Sequence, residues 1–308
     1  MKVAISGATG FVGSRLVERL HLQGHHILIL TRNVTSAQKI FPNSNFPNVE
    51  VVAYTPTESG TWQQAISGCN GVVNLAGEPI AEGRWTAARK QEILHSRKLG
   101  TQKIVEAIAQ ANPKPQVLVN ASAIGYYGTS ENATFDETSV AGNDFLAQVC
   151  LDWEAEAQKV VEKGVRLVIL RLGIVLGKGG ALDKMVTPFK LFAGGPIGTG
   201  KQWFSWIHRD DLVNLIIQAL TRPDITGVLN GTAPNPVRMT ELSQTMGQVM
   251  NRPSWLPVPG LAIEALLGDG AIVVLEGQQV LPQRPLAYNF DYQYSTLSEA
   301  LKDILGNG

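Results

Sequence analysis

The run Val3-Ala4-Ile5-Ser6-Gly7-Ala8-Thr9-Gly10-Phe11-Val12-Gly13 constrains this chain more than any other stretch. Apolar residues of strand type lead into a glycine turn, and behind it Phe11, Val12, Leu16, Val17 and Leu20 recur at helical spacing. Strand, tight turn and helix in that order build an anion site. The first backbone N–H groups of the helix have no partner within it, and its dipole adds partial positive charge, so a pyrophosphate can be held without a side chain. Gly7 suits the turn, Gly10 lets a phosphate approach the backbone, and Gly13 lets the helix pack against the strand. Gly24 closes the helix, and His26-Ile27-Leu28-Ile29-Leu30 follows as a second strand, completing a dinucleotide-binding βαβ unit.

The residues after that second strand are where such folds choose their cofactor. An acidic side chain would bond the ribose hydroxyls of NAD, whereas Arg32 suits a 2′-phosphate and Thr31 can donate to it, so NADP(H) is expected. A solvated charge at a strand end is the plainer alternative for Arg32. Further strands are expected near 49–52, 71–77, 116–122 and 166–172, with helical stretches at 62–66, 85–111 and 145–163 between them. The strand that carries Asn74 and Leu75 ends in Ala76 and Gly77, small residues that leave room for a cofactor, and Glu78 follows. Ligands of open α/β sheets sit beyond the carboxyl ends of the strands, which places Ser122, Tyr126 and Tyr127 beside the cofactor. The two tyrosines either supply an acid or close the loop over the site. The segment 129–143, acidic at Glu131, Asp136 and Glu137, is either a lid or a solvated connection.

The expected fold class is therefore α/β: a Rossmann-type doubly wound parallel sheet over residues 1–172, rejoined by a helical segment at 206–227. Residues 173–205 and 228–308 are expected to form a smaller substrate lobe, because glycine and proline become dense from Gly173 onward. Asp210 and Asp211 suit the start of a helix at 212–220, and His208 is expected to be packed or, alternatively, a proton donor.

Lysine plus arginine equals aspartate plus glutamate at 26 each, so no overall field favours nucleic acid or an anionic membrane as a partner. Cys69 and Cys150 are too few for a disulfide framework. No apolar run reaches membrane-spanning length and the chain starts directly on a strand, so the cytoplasm is the expected compartment. No cluster has metal-ligand spacing. A small-molecule substrate is the partner such a fold suggests, and the sequence leaves any protein partner open.

Gly7-Ala8-Thr9-Gly10-Phe11-Val12-Gly13, Asn74-Leu75-Ala76-Gly77 and Ser122-Ala123 resemble the extended short-chain dehydrogenase/reductase superfamily of sugar-nucleotide epimerase type. Gly77-Glu78-Pro79-Ile80, Ser96-Arg97, Gly125-Tyr126-Tyr127-Gly128 and Trp206-Ile207-His208 are similar to one atypical branch of it, the "epimerase family protein" group related to the human short-chain reductase family 39U member. Leu256-Pro257-Val258-Pro259 and Leu275-Glu276-Gly277-Gln278 are similar to that branch's C-terminal domain of unknown function. The resemblance implies NADP(H), with Thr31-Arg32, Asn74-Leu75, Glu78 and Arg97 at cofactor contacts. It also puts Arg97 where ordinary members carry an asparagine.

Superfamily chemistry uses a tyrosine and a lysine four residues apart on one helix face, the lysine lowering the tyrosine pKa for proton exchange. By the resemblance those two positions hold Leu146 and Cys150, and neither can do that work. Two readings follow. One is an NADP(H)-dependent oxidoreductase or epimerase-like enzyme, with Ser122 placing a small polar substrate and Tyr127 or Tyr126 as substitute acid. The other is a non-enzymatic nucleotide-binding regulator, a role the resemblance connects with cell division.

Overall fold

The computed structural model describes residues 1–306. Its centre is a sheet of seven parallel strands: β1 (Lys2–Ser6), β2 (His26–Thr31), β3 (Val49–Ala53), β4 (Gly71–Asn74), β5 (Val117–Ala123), β6 (Arg166–Leu172) and β7 (Gly227–Gly231). They lie in the order β3-β2-β1-β4-β5-β6-β7. The chain therefore winds outward from β1 through β2 to β3 and then returns to the other side of β1. That reversal opens a crevice above the carboxyl ends of β1 and β4, where ligands of such sheets bind.

Strand periodicity sorts the core into two layers. Val3 and Ile5 point to one face with Leu16, Val17 and Leu20 of α1 (Phe11–Leu22) and Leu212, Leu215 and Ile216 of α6 (Arg209–Thr221). Ala4, between them, points to the other face with Leu28, Val72, Leu118 and the helix residues Ile104 and Ile108. Those last two belong to α3 (Ala87–Gln110), which packs beside α4 (Phe145–Gln158), and α2 (Val34–Ile40) lies against β3. The short element expected at 62–66 is a 3₁₀ turn, Thr61–Ile66, with Trp62 buried beneath it.

A second core gathers Leu182, Val186 and Phe189 of α5 (Ala181–Lys190), Trp206, Met246 of α7 (Met239–Met250), and Leu301 of the last helix, Leu297–Leu305. The border drawn at 228 needs correction, because β7 pairs with β6 across Gly227–Gly231 and so belongs to the central sheet. Its residues Val228 and Leu229 carry the apolar character that a sheet strand needs on both faces. The helix α6 also returns to the sheet, and Arg15 fastens it to α1 by a bidentate pair with Asp210 at 2.8 Å on both oxygens. Asp210 is held below the usual carboxylate range by that guanidinium. Neither Asp210 nor Asp211 caps this helix. His208 does, its Nδ1 accepting from the Asp210 N–H at 3.1 Å, while Asp211 accepts the backbone N–H groups of Gln293 and Tyr294 and so anchors the chain before the last helix.

The segment 129–143 is neither a free lid nor a bare connection. Thr134–Phe135 pairs in parallel with Gln279–Val280, and Phe135 stacks on Tyr127 at 5.4 Å. Its Glu137 accepts the N–H of Asn230 on β7 at 2.9 Å, and Arg284 donates to the Val228 carbonyl of the same strand at 2.9 Å.

Candidate functional site: a glycine cradle and a walled cavity

Gly7 adopts φ +73°, and a Cβ there would meet the backbone of Leu75 at 2.8 Å. Gly13 sits closer still to its neighbour, since a Cβ would fall 2.2 Å from the carbonyl oxygen of Gly7. The Gly10 N–H closes the turn on that same carbonyl at 3.0 Å. The helix start has no side-chain cap and no acidic residue in its first turn, so its N–H groups and positive end remain available to an anion.

A cleft of about 290 Å³ opens over this turn. Gly7, Thr9, Gly10, Thr31, Arg32, Leu75, Ala76, Gly77 and Glu78 all border it, as do Tyr54, Pro56 and Ser96, which sequence reasoning missed. Tyr54 follows β3 directly and its hydroxyl is pushed up to about 12 by burial. An aromatic at the end of the third strand is the signal that could have found it. The Thr31 hydroxyl is occupied locally, accepting the Asn33 N–H at 3.2 Å. Arg32 stands at the rim with its side chain 73% exposed and 3.3 Å from Glu78, whose other oxygen is 3.3 Å from Arg89. Val12 packs into the core beneath, and Phe11 turns toward a second cavity.

Asn74, expected at a cofactor contact, does not border the cleft: it is buried, and its amide lies in a chain of hydrogen bonds. Ser6 donates to it at 2.6 Å, and its nitrogen donates to Thr101 at 2.9 Å and Asn120 at 2.7 Å.

The second cavity, about 530 Å³, continues from the first past Gly77, Glu78 and Pro79. Leu146 and Cys150 both border it, one turn apart on α4, and Ala123 faces it from the end of β5. Burial, and then Glu154, push the Cys150 thiol up to about 11, so it is a poor source of thiolate at neutral pH. Arg97 lines the same wall, its guanidinium 5.2 Å from the Trp153 ring and one nitrogen donating to the Ile93 carbonyl at 3.1 Å. Desolvation lowers its pKa, and among the described residues it has no carboxylate partner within salt-bridge distance.

The three expected catalytic side chains do not border this cavity. Successive residues of a strand face opposite ways, so Ala123 faces the opening while Ser122 is 2% exposed and donates to Glu154 at 2.6 Å. Arg171 grips the same carboxylate at 2.9 and 2.8 Å and donates to the Tyr127 hydroxyl at 3.1 Å. Tyr127 in turn donates to Asn230 at 2.7 Å, and burial pushes its phenol up to about 12. The Tyr126 ring lies under the Arg171 guanidinium at 3.2 Å. Ser122, Tyr126 and Tyr127 thus belong to one buried ionic network behind the cavity. His208, capping α6 and packed at a tilt against the Tyr294 ring at 3.9 Å, is equally remote.

A doubly wound sheet, a glycine cradle at its switch point and a cavity beyond the fifth and sixth strands define a dinucleotide-binding fold of Rossmann type. The chain belongs to the NAD dependent epimerase/dehydratase family, whose sequence model matches residues 3–230. Residues 258–304 match a domain of unknown function, DUF1731. The chain is 52% identical over 308 residues to the Arabidopsis thaliana protein described as the chloroplastic homologue of epimerase family protein SDR39U1, covering 99% of this chain and 87% of that one. It is 39% identical to epimerase family protein YfhF of Bacillus subtilis, covering 100% and 99%. Among solved structures it is similar to human epimerase family protein SDR39U1 (isoform 2) crystallised with NADPH, with a TM-score of 0.88 and 35% identity over the whole of both chains.

Proposed function

We propose that this chain binds NADP(H) along the two joined cavities and serves as an atypical reductase or epimerase-like protein that lacks the tyrosine and lysine of its superfamily. The observation that carries the reading is the continuity of the glycine cradle with a walled cavity through Gly77 and Glu78. The residues present fit the cofactor: the space beside Gly7 and Gly10 and the uncapped start of α1 suit a pyrophosphate, and Arg32 at the rim suits the phosphorylated ribose. When bound, the nicotinamide supplies hydride transfer. The human relative crystallised with NADPH supports this cofactor.

The chain's own residues do the remaining work. The glycine turn orients, Arg97 offers positive charge inside the second cavity, and the apolar wall excludes water. Proton transfer is the weak point, since Ala123, Leu146 and Cys150 line the wall where an acid is needed. That composition favours a second reading, a nucleotide-binding regulator that uses the cofactor as a signal and performs no turnover. Titration of the protein with NADPH and NADH, followed by fluorescence, tests the shared part of both. Arg32→Ala should weaken NADPH binding roughly tenfold, the lower end for a charge-assisted contact at an exposed rim, and leave NADH unchanged. Equal losses for both cofactors would remove Arg32 from phosphate recognition, and failure to bind either would end the reading. Steady-state turnover of NADPH with carbonyl substrates then separates enzyme from regulator.

A further inference from the structure

We infer that the second cavity takes an uncharged, predominantly apolar small molecule carrying at most one polar group, and not a nucleotide sugar. The inference rests on the cofactor reading above, because ligand and nicotinamide would share this space. Its walls are largely hydrocarbon: Phe11, Ile80, Val149, Leu172 and Val175 border it from four different parts of the chain. Burial of apolar surface is therefore the main attraction the cavity can offer.

Several polar side-chain atoms in the wall are already committed to the protein. The Trp153 N–H donates to Thr101 at 2.8 Å, and the Trp203 N–H to the Glu131 carbonyl at 2.9 Å. The Ser205 hydroxyl donates to the Gln278 carbonyl at 2.8 Å and accepts the Val280 N–H at 3.0 Å. The Gln278 amide nitrogen donates to the Ile124 carbonyl at 2.8 Å, and the Cys150 thiol points at the Ala123 carbonyl at 3.6 Å. A hexose brings several hydroxyls, and each one buried without a partner weakens binding by roughly five- to a hundredfold.

Charge points the same way. Asp144 and Glu276 border the cavity with Arg97 as the cation among the described wall residues, and Glu78 is already paired with Arg32 and Arg89, so a diphosphate would find no net positive charge on entry. Glu276 is exposed at the mouth, where Thr129 donates to it. One carbonyl or hydroxyl could still find a partner in Arg97, whose remaining N–H groups make no hydrogen bond within the protein.

The test is isothermal titration calorimetry on the full chain saturated with NADP⁺, with 2-acetonaphthone as the apolar probe and UDP-glucose as its rival. No hydride can pass between the oxidised cofactor and a ketone, so binding alone is measured. The ketone should bind at least a hundredfold more tightly than UDP-glucose. Ile272→Asn and Val273→Asn each put an unpartnered amide into a half-buried stretch of wall and should weaken the ketone roughly tenfold while NADP⁺ affinity stays within about twofold. UDP-glucose binding as well as the ketone would overturn the inference, and so would ketone binding that neither substitution alters. NADP⁺ binding with no affinity for the ketone would overturn it and leave the cofactor reading standing, whereas failure to bind NADP⁺ would overturn both.

Discussion

The cradle over β1 and the cavity beyond β5 and β6 share one edge of one sheet, but they have been kept to different standards. In the cradle, geometry leaves almost no freedom: Gly13 has another residue's carbonyl where its Cβ would stand, and Gly7 needs a left-handed backbone. In the cavity, Ala123, Leu146 and Cys150 occupy the wall, and Ser122, Tyr126 and Tyr127 lie behind it, gathered around the pair between Glu154 and Arg171. Binding a nucleotide is a demand on the backbone, met by shape. Moving a proton is a demand on particular side chains, and those can be exchanged without disturbing the shape. A fold can thus retain its cofactor site long after its ordinary chemistry has been rebuilt or lost.

Four substitutions would break or sharpen that contrast. Arg171→Met should cost about 3–5 kcal/mol in urea unfolding, because it strands the Glu154 carboxylate in a buried site. A stable Arg171→Met protein that lost NADPH-linked turnover would put chemistry back into the network and undo the contrast. Gly13→Ala should cost about 1–3 kcal/mol, as overpacking does, and abolish NADPH binding measured by fluorescence, since the turn must open to admit the methyl group. Retained affinity would mean the cradle is softer than its distances imply. Tyr127→Phe removes the donor to Asn230 and should cost about 1 kcal/mol while leaving any turnover rate unchanged. A rate loss of a hundredfold would instead mark Tyr127 as a general acid.

The smallest effect concerns pH. Burial lowers the His208 pKa, with Asp210 and Asp303 pulling weakly the other way. The folded state therefore prefers the neutral ring, whose Nδ1 must stay unprotonated to cap α6. Its contribution is present above the unfolded value near 6.5 and is lost as pH falls through the lower folded value. Thermal melts of the wild type should thus drop between pH 7 and pH 5 more steeply than those of His208→Gln. Parallel curves would leave His208 without this role.

Most of the sheet was legible because buried parallel strands are written as short apolar runs ending in small residues, as at Gly71–Asn74 and Val117–Ala123. The glycine cradle was legible for the same reason: only one residue type fits. Ser122 was misread because a strand's facing depends on a single residue of register, and the motif fixes the neighbourhood but not the side. The role of Glu154 and Arg171 was invisible, since the two residues lie on different elements and meet only when α4 packs over β6. The cap from His208 hid behind two aspartates that look like better caps and serve Arg15 and the chain at Gln293–Tyr294 instead.

The contacts of Glu137 and Arg284 on β7 have a meaning for the molecule among its neighbours. As the last strand in the sheet, β7 presents a row of backbone donors and acceptors that another extended chain could pair with. Here side chains take those groups: Glu137 accepts the Asn230 N–H, and the Arg284 guanidinium is shared between the carbonyls of Thr226 and Val228. One residue from the 129–143 segment and one from the C-terminal region thus close an edge that regular hydrogen bonding leaves open. Fewer of its backbone groups are therefore free for strand addition, an effect independent of anything the cofactor does.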